Sequence, residues 1–450
     1  MNRPLFVFAL IFALMLAGVA TVNGAEIALA IPLLAYLGAS VLERPGAPQL
    51  RVERTLTRVN TAHEAGDRDT ATSPAQTTAT QVKVSLHVTN EGAALRDVMI
   101  EDVLTPGLQL VEGDTRVLTS LNPGESVNLQ YTAQGQRGEH IFRAMNIEVA
   151  DHFGMFTRRE QLAAPGTLLV QPEPQRLRSI EIRPPRTRGF AGQIPARQGG
   201  AGVDFFNLRE YQPGDRLRWI NWRATARSDA RSGLQLYSNV YEQRRLADIG
   251  IILDARQQTD LRSDTSTLFE HSISIAAALA ETFLADGNRV GLLVYGGSLA
   301  SIFPGYGHVQ RARILRALGR ASTGQHFVFE NLKNLPTRFF AAGSQIAFIG
   351  PCNGEDVPTL IRLRANAYSV MVASPNPIAF EAAQLNSALL SHPRTALALR
   401  IAQAERNLHF HTLRRSGVQV VDWEVSRPLD AVMHEALARQ PVQRITMMRG

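Results

Sequence analysis

Asp254 closes a run of apolar residues, Ile249 to Leu253, and Arg256 follows two positions later. A carboxylate at the end of such a run could hold a hard divalent cation such as Mg²⁺, which takes oxygen ligands. Thr259, Asp260, Asp264, Thr265 and Ser266 come soon after, and Asp356 lies further along, each with an oxygen to offer. Arg256 argues against a metal, because its guanidinium brings a positive charge to the place where the ion would sit. The expectation is no cofactor, with Asp254 capping a strand end or pairing with Arg256 instead.

Catalytic chemistry finds less support. A nucleophile needs a base within hydrogen-bond reach and a third group to orient that base. Cys352 has no motif around it, and the eleven histidines are dispersed. His409 and His411 stand two apart on an expected helix, so they do not share a face. Gly350-Pro-Cys-Asn-Gly354 is a glycine-bracketed turn without the Gly-Lys-Ser/Thr that grips phosphate. Asp151 and His152 read as a turn. The chain is therefore expected not to be an enzyme, and any ATP dependence would come from a partner. The lone Cys352 also excludes an intrachain disulfide and a thiolate metal cluster, consistent with a reducing compartment.

The densest arrangement of charged and aromatic residues runs from Gly200 to Arg227. It contains Asp204, Arg209, Glu210, Tyr211, Asp215, Arg218, Trp219, Asn221, Trp222, Arg223 and Arg227. Pro213-Gly214 sets a tight turn, and Asp215 is placed to N-cap a short helix carrying Trp219, Ile220 and Trp222. Two uses fit this mixture: buried side-chain ion pairs, or an anion-binding surface. Arg209, Tyr211, Gly214, Asp215, Arg218, Trp222 and Arg227 are its candidate interaction residues.

The elements that must position these residues can be laid out from periodicity. Leu5 to Val22 is free of charge, and Ile27 to Leu42 is a second apolar run. Each is near the roughly 20 residues that cross hydrocarbon, so residues 1–45 are expected to form a transmembrane helical hairpin. Residues 46–175 read as a β-sandwich domain with a disordered loop near 60–80. Within it Val82, Val84, Leu86 and Val88 alternate with Lys83, Ser85, His87 and Thr89, the period of a half-buried strand. Further short strands are expected over Val98–Leu104, Gly107–Val111, Arg116–Leu118, Val127–Ala133 and His140–Val149. Residues 246–450 alternate buried strands with helices, which implies a parallel sheet covered on both faces. In such a sheet the ligand crevice lies at the carboxyl ends of the strands, where Asp254 stands.

The stretch Gly200-Ala-Gly202-Val-Asp204-Phe205, Leu208-Arg209-Glu210-Tyr211, Gly214-Asp215, Arg218-Trp219-Ile220-Asn221-Trp222 and Ala226-Arg227 resembles the signature of the domain-of-unknown-function fifty-eight family. The chain departs from that pattern with Asp204 in place of Glu and Asn221 in place of Asp or His. The layout is similar too: a paired membrane segment, a β domain ending in Asp151-x-Phe153-Gly154, the signature (residues 176–245), then a von Willebrand factor A-like domain. The resemblance implies an immunoglobulin-like β-sandwich and a doubly wound von Willebrand factor A-like α/β domain. It also implies Asp-x-Ser-x-Ser as the metal motif, of which this chain keeps only Asp254. Members of the family are commonly encoded beside MoxR-type AAA-plus ATPases, which implies a scaffold or adaptor role.

Bulk composition narrows the partners. The chain of 450 residues carries a formal net charge of +7, and its basic residues are nearly all arginine, with only Lys83 and Lys333 as lysines. The arginines are scattered rather than gathered with aromatics into one stripe, so no nucleic acid is expected. Arg44, Arg51, Arg54 and Arg58 follow the second apolar run, while the turn between the runs carries only Glu26. That bias places both termini, and the soluble domains, in the cytoplasm. The sequence thus reads as a membrane-anchored scaffold for protein–protein interaction, with a MoxR-type AAA-plus ATPase as the implied partner. The alternative is a metal-dependent adhesion or ligand-binding module facing outward.

Overall fold

The computed structural model describes residues 3–22, 24–59, 80–175, 177, 178, 180, 182, 184, 187–227, 236–263, 266–296, 299–325 and 339–438. The loop expected near 60–80 falls almost wholly outside them. The described residues form two compact units, the first ending at Val170 and the second beginning at Gln171.

Two helices open the first unit, α1 (Arg3–Thr21) and α2 (Gly24–Leu42), each 19 residues long. Leu5, Phe6, Phe8, Phe12, Leu16, Leu29, Ile31 and Leu34 are all exposed on them. A helix apolar on every side suits either a protein core or a lipid bilayer. Both helices are long and apolar enough to cross a membrane. They pack against one another where Gly18 faces Ile27: a Cβ at Gly18 would lie 2.6 Å from the Ile27 side chain. A third apolar helix, Leu268–Ala285, is instead buried in the second unit.

Eight antiparallel strands follow: β1 (Leu50–Arg58), β2 (Thr80–Asn90), β3 (Leu95–Asp102), β4 (Leu108–Gly113), β5 (Arg116–Leu121), β6 (Ser126–Gly135), β7 (Gly138–Ala150) and β8 (Thr157–Val170). They form two four-stranded sheets, in the orders β1-β2-β6-β4 and β5-β3-β7-β8. One apolar core serves both, built from Val82, Val84, Leu86 and Val88 of β2, Val98 and Ile100 of β3, and Met145, Ile147 and Val149 of β7. The alternation along β2 places Lys83 and His87 outward, as the period of two requires. Strands β1 and β8 are additions to the sequence reading. In β1, Arg54 points inward, with its side chain 1% exposed and 2.6 Å from the fully buried carboxylate of Asp102. Arg54 therefore cannot count toward a basic flank beside the bilayer. Asp151 closes the β7–β8 turn by accepting the backbone N–H of Phe156 at 2.8 Å, the turn role expected for it. The same turn meets α2, where the Tyr36 hydroxyl donates to the Phe153 carbonyl at 3.1 Å.

The second unit is built on a sheet of β9 (Thr187–Glu210), β10 (Tyr237–Ala255), β11 (Arg289–Gly296), β12 (Leu299–Gly305), β13 (Gln345–Ile349), β14 (Ser369–Pro375) and β15 (Gln419–Trp423). Its helices are α3 (Trp222–Thr225), α4 (Leu268–Ala285), α5 (Gly307–Arg320), α6 (Val357–Ala365), α7 (Pro377–Ala382), α8 (Ser387–Leu390), α9 (Pro393–Arg415) and α10 (Leu429–Ala438). The strand order is β12-β11-β10-β13-β14-β15, all parallel except the antiparallel edge strand β12. Two separate apolar clusters, one holding Phe269, Ile273 and Phe283 of α4 and the other Leu360 of α6 and Phe410 of α9, share the sheet's residues between them. That explains why Ile249, Ile251, Ile252 and Leu253 form an unbroken apolar run rather than an alternating one. The first half of β10 pairs with β9 to form a long two-stranded arm, and its second half is a central strand of the parallel sheet.

Candidate functional site

In chain order the parallel sheet runs third, second, first, fourth, fifth, sixth, with β10 as the first strand. The order reverses between β10 and β13, and a doubly wound sheet opens its ligand crevice at that reversal, beyond the carboxyl ends of the strands. Asp254 lies at the end of β10 and Asp356 just past the end of β13, so the two carboxylates flank the reversal. Arg256 lies between them. Its Nε and Nη2 donate to Asp254 Oδ1 and Oδ2, both at 2.8 Å, and Nη2 also donates to Asp356 Oδ2 at 2.9 Å. The three side chains are 0–4% exposed.

Of the pairings open to Asp254 in the sequence, the one with Arg256 is the one formed; the extension to Asp356, a hundred positions on, is new. Burial pushes the Asp254 carboxyl up, against the Arg256 hydrogen bonds that pull it down. Burial opposes the charge on Arg256, but the two carboxylates outweigh it and hold the guanidinium protonated well above its ordinary range. Oδ1 of Asp356 is buried and has no hydrogen-bond partner among the described residues. There is little spare room, since a Cβ at Gly350 would lie 2.5 Å from the Asp254 Cβ.

The other oxygen donors near Asp254 in sequence are engaged elsewhere. The Thr259 hydroxyl donates to the Arg256 carbonyl at 2.8 Å, and Asp260 accepts the backbone N–H of Phe269 at 3.3 Å. Ser266 is bonded to Ser263, while Asp264 and Thr265 lie outside the described residues. Among the described residues no group of three or more His, Cys, Asp or Glu side chains could hold a metal ion. Asp254 and Asp356 alone do not fit the Mg²⁺ site implied by the resemblance, because a guanidinium stands between them.

The ends of β14 and β15 are closed in the same manner. Arg406 of α9 donates to Asp422 Oδ1 and to Ser374 Oγ at 2.8 and 2.9 Å, and to the Pro351 carbonyl at 2.7 Å. Cys352 is buried, and burial pushes its thiol up, away from the thiolate a nucleophile needs. His271 of α4 packs edge-on to Phe380 and Trp423, with both ring centroids at 5.7 Å. Burial holds its imidazole below the ordinary 6.5. The unfolded chain then takes up a proton before the native one does, so His271 contributes stability above pH 6.5 that is lost as pH falls through the folded value. A thermal-melt series from pH 7.5 to 5 is expected to show the midpoint falling in the wild type and falling less in His271→Leu. Parallel pH profiles in the two proteins would refute this.

The signature segment is half framework and half surface. Arg209 Nη2 donates to Asp215 Oδ1 at 2.6 Å, and Asp215 Oδ2 accepts the Gln212 backbone N–H at 3.0 Å. The backbone bond from Gln212, then the Arg209 contact, hold the Asp215 carboxyl below its ordinary value. Gly214 takes φ +108°, which a side chain would disfavour, and the Tyr211 hydroxyl donates to the Asp215 carbonyl at 3.4 Å. Asp215 is thus a turn-closing residue rather than the helix cap expected of it. Its two oxygens are committed to Arg209 and Gln212. The cap belongs to Asn221, whose side chain accepts the Ala224 backbone N–H at 2.9 Å at the start of α3. An asparagine accepts that bond as well as an aspartate does, so this departure from the family pattern costs nothing locally. Arg218, Arg223 and Arg227 are exposed, as are Phe205, Leu217 and Trp222, the last at 66%.

Residues 207–333, which carry Asp254 and this segment from position 207 onward, match the family model described as "Protein of unknown function DUF58". A relative, "Uncharacterized protein YeaD" of Bacillus subtilis (strain 168), is 27% identical over 211 residues, which are 46% of this chain and 49% of the relative. The chain thus spans about half the length of the curated relative it matches. Among solved structures, a FixG-related protein from Vibrio parahaemolyticus is 12% identical, covers 26% of this chain and 94% of its own, and has a TM-score of 0.15. A GH20 exo beta-N-acetylglucosaminidase from Vibrio harveyi is 10% identical over 83% of this chain and 76% of its own, with a TM-score of 0.19. Scores this low carry no argument about fold or activity.

Proposed function

We propose that the protein is a membrane-anchored, non-enzymatic scaffold whose second unit docks a protein partner through the exposed part of the signature segment. The observation that carries this reading is the split within that segment. Arg209, Tyr211, Gly214 and Asp215 hold the turn in shape, while Arg218, Trp222 and Arg227 are exposed. Exposed arginine and tryptophan are the residue types that most often anchor protein interfaces. In this reading the two-sheet unit is an immunoglobulin-like spacer, the second unit is von Willebrand factor A-like, and both lie in the cytoplasm. The partner class, a MoxR-type AAA-plus ATPase, rests on the family resemblance alone.

The test is capture from native membranes in mild detergent after crosslinking, comparing the wild type with an Arg218→Glu, Trp222→Ala, Arg227→Glu variant that retains its circular dichroism. Recovery of an AAA-plus ATPase, reduced tenfold or more in the variant, is the expected result. Equal recovery from both proteins would move the docking site elsewhere, and recovery of no ATPase would remove the partner. A reporter active only in the cytoplasm, fused after Gly450, is expected to be active.

A second reading, a metal-dependent adhesion or ligand-binding module facing outward, would need Arg256 to withdraw from Asp254 and Asp356, the two acids at the reversal of strand order. It requires a reporter active only outside the cell to work at Gly450, and ligand capture that EDTA abolishes.

A further inference from the structure

We infer that Arg256 takes the place of a metal ion in the crevice between β10 and β13: its guanidinium holds Asp254 and Asp356 together, so the wild-type crevice neither needs nor admits a divalent cation. The inference goes beyond the scaffold proposal and stands independently of it.

The geometry has three parts. First, the guanidinium makes the contacts through which a cation would bind the two acids, a fork onto both oxygens of Asp254 and one bond to Asp356 Oδ2. Those bonds tie the end of β10 to the segment after β13, which is the structural work of a bridging ion. Second, the replacement is imperfect in a way that shows what the acids could otherwise hold. The guanidinium meets three of the four carboxylate oxygens, and Asp356 Oδ1 is the one left over, buried and without a partner among the described residues. Third, one guanidinium neutralises only one of the two carboxylates, whereas a divalent ion would neutralise both. Two buried acids with a leftover oxygen, deprived of their guanidinium, present the all-oxygen environment that Mg²⁺ or Mn²⁺ takes, with water completing the shell. Arg256 is therefore the residue that decides between a closed crevice and a metal site.

The experiment uses the full chain in detergent, with Mn²⁺ and Mg²⁺ as the probes. Wild-type protein is expected to melt at the same temperature with 5 mM EDTA as with about 5 mM MnCl₂, a concentration at which a Mn²⁺ site of micromolar affinity would give an obvious shift. Arg256→Ser is expected to melt roughly 6–12 °C lower in EDTA, the loss expected when a buried ion pair is broken from one side, and to recover at least half of that loss in MnCl₂. Asp254→Asn in the Arg256→Ser background is expected to abolish the recovery. Two results would overturn the inference. One is wild-type protein that binds Mn²⁺ by electron paramagnetic resonance titration and loses that binding in Asp254→Asn. The other is an Arg256→Ser chain that folds but melts identically in EDTA and MnCl₂. Should Arg256→Ser not fold in either buffer, Arg256→Lys and the wild-type titration decide. The ammonium is expected to fold the crevice without any response to Mn²⁺, and a response would count against the inference.

Discussion

Asp102→Ala is expected to destabilise the first unit by about 3–5 kcal/mol, the cost of leaving one member of a buried ion pair without its partner. Two side chains depend on that carboxylate. Arg54 Nη2 donates to Oδ1 and the Tyr131 hydroxyl donates to Oδ2, both at 2.6 Å. Arg54 has no slack to absorb the loss, because its Nε and Nη1 are already buried without hydrogen-bond partners among the described residues and its Cζ lies over the Phe142 ring, 4.4 Å from the centroid. The alanine variant would therefore strand a cation inside an apolar core. Replacing the whole network, with Arg54→Met, Asp102→Leu and Tyr131→Phe together, is expected to restore most of the lost stability, because no charge is then left unpaired. Urea unfolding of the wild type and the two variants, followed by a signal from the first unit, checks this. A triple variant as unstable as Asp102→Ala would mean that the network contributes more than mutual compensation.

The second large effect is expected at Gly296, where β11 ends against β10. A Cβ there would lie 2.2 Å from the Ala255 carbonyl oxygen and 2.8 Å from the Arg256 backbone nitrogen. Both are main-chain atoms at the carboxyl end of a paired interior strand, so no flexible side chain can move aside. Overpacking of this kind costs up to about 3 kcal/mol when neighbours can shift and more when they cannot. Gly296→Ala is expected to reach at least that figure and to loosen the residues around Arg256. In hydrogen exchange the amides of Leu253 to Ala255 should lose protection before those of β14. Uniform loss across the sheet would instead indicate global destabilisation with no local focus at the crevice.

Periodicity made much of the architecture legible, and where it failed the reasons are specific. Strand β2 and helix α4 were readable because apolar residues recur at two and at three to four positions. Strand β1 was missed because Arg54 breaks its apolar face. Only the tertiary pairing with Asp102, 48 positions away, makes an inward arginine tolerable. Strand β8 carries Pro165 and Gly166, β12 carries Pro304 and Gly305, and β9 is rich in glycine, so each resembles a loop when composition is judged alone. In the crevice, the pairing of Asp254 with Arg256 could be proposed from two positions of separation. The bridge to Asp356 could not, since sheet order rather than sequence spacing brings it there. The cap at Asn221 escaped for another reason: Pro213-Gly214-Asp215 is the stronger turn signal and drew the assignment away from it.

Strand β10 joins the signature turn to the crevice. It enters from the arm beside the signature turn and leaves at Asp254, over 19 residues of unbroken strand. At about 3.3 Å per residue it is a tie-rod some 60 Å long, and a strand resists stretching far more than bending. Its pairing with β9 is interrupted by register shifts between Val240 and Tyr241, between Glu242 and Arg244, and between Arg244 and Arg245. Those are the joints at which the rod can twist. A load applied at the signature turn would be taken up first at these joints. Whatever passes beyond them would arrive along the axis of the strand that anchors Asp254, so the crevice and the signature turn are mechanically in series.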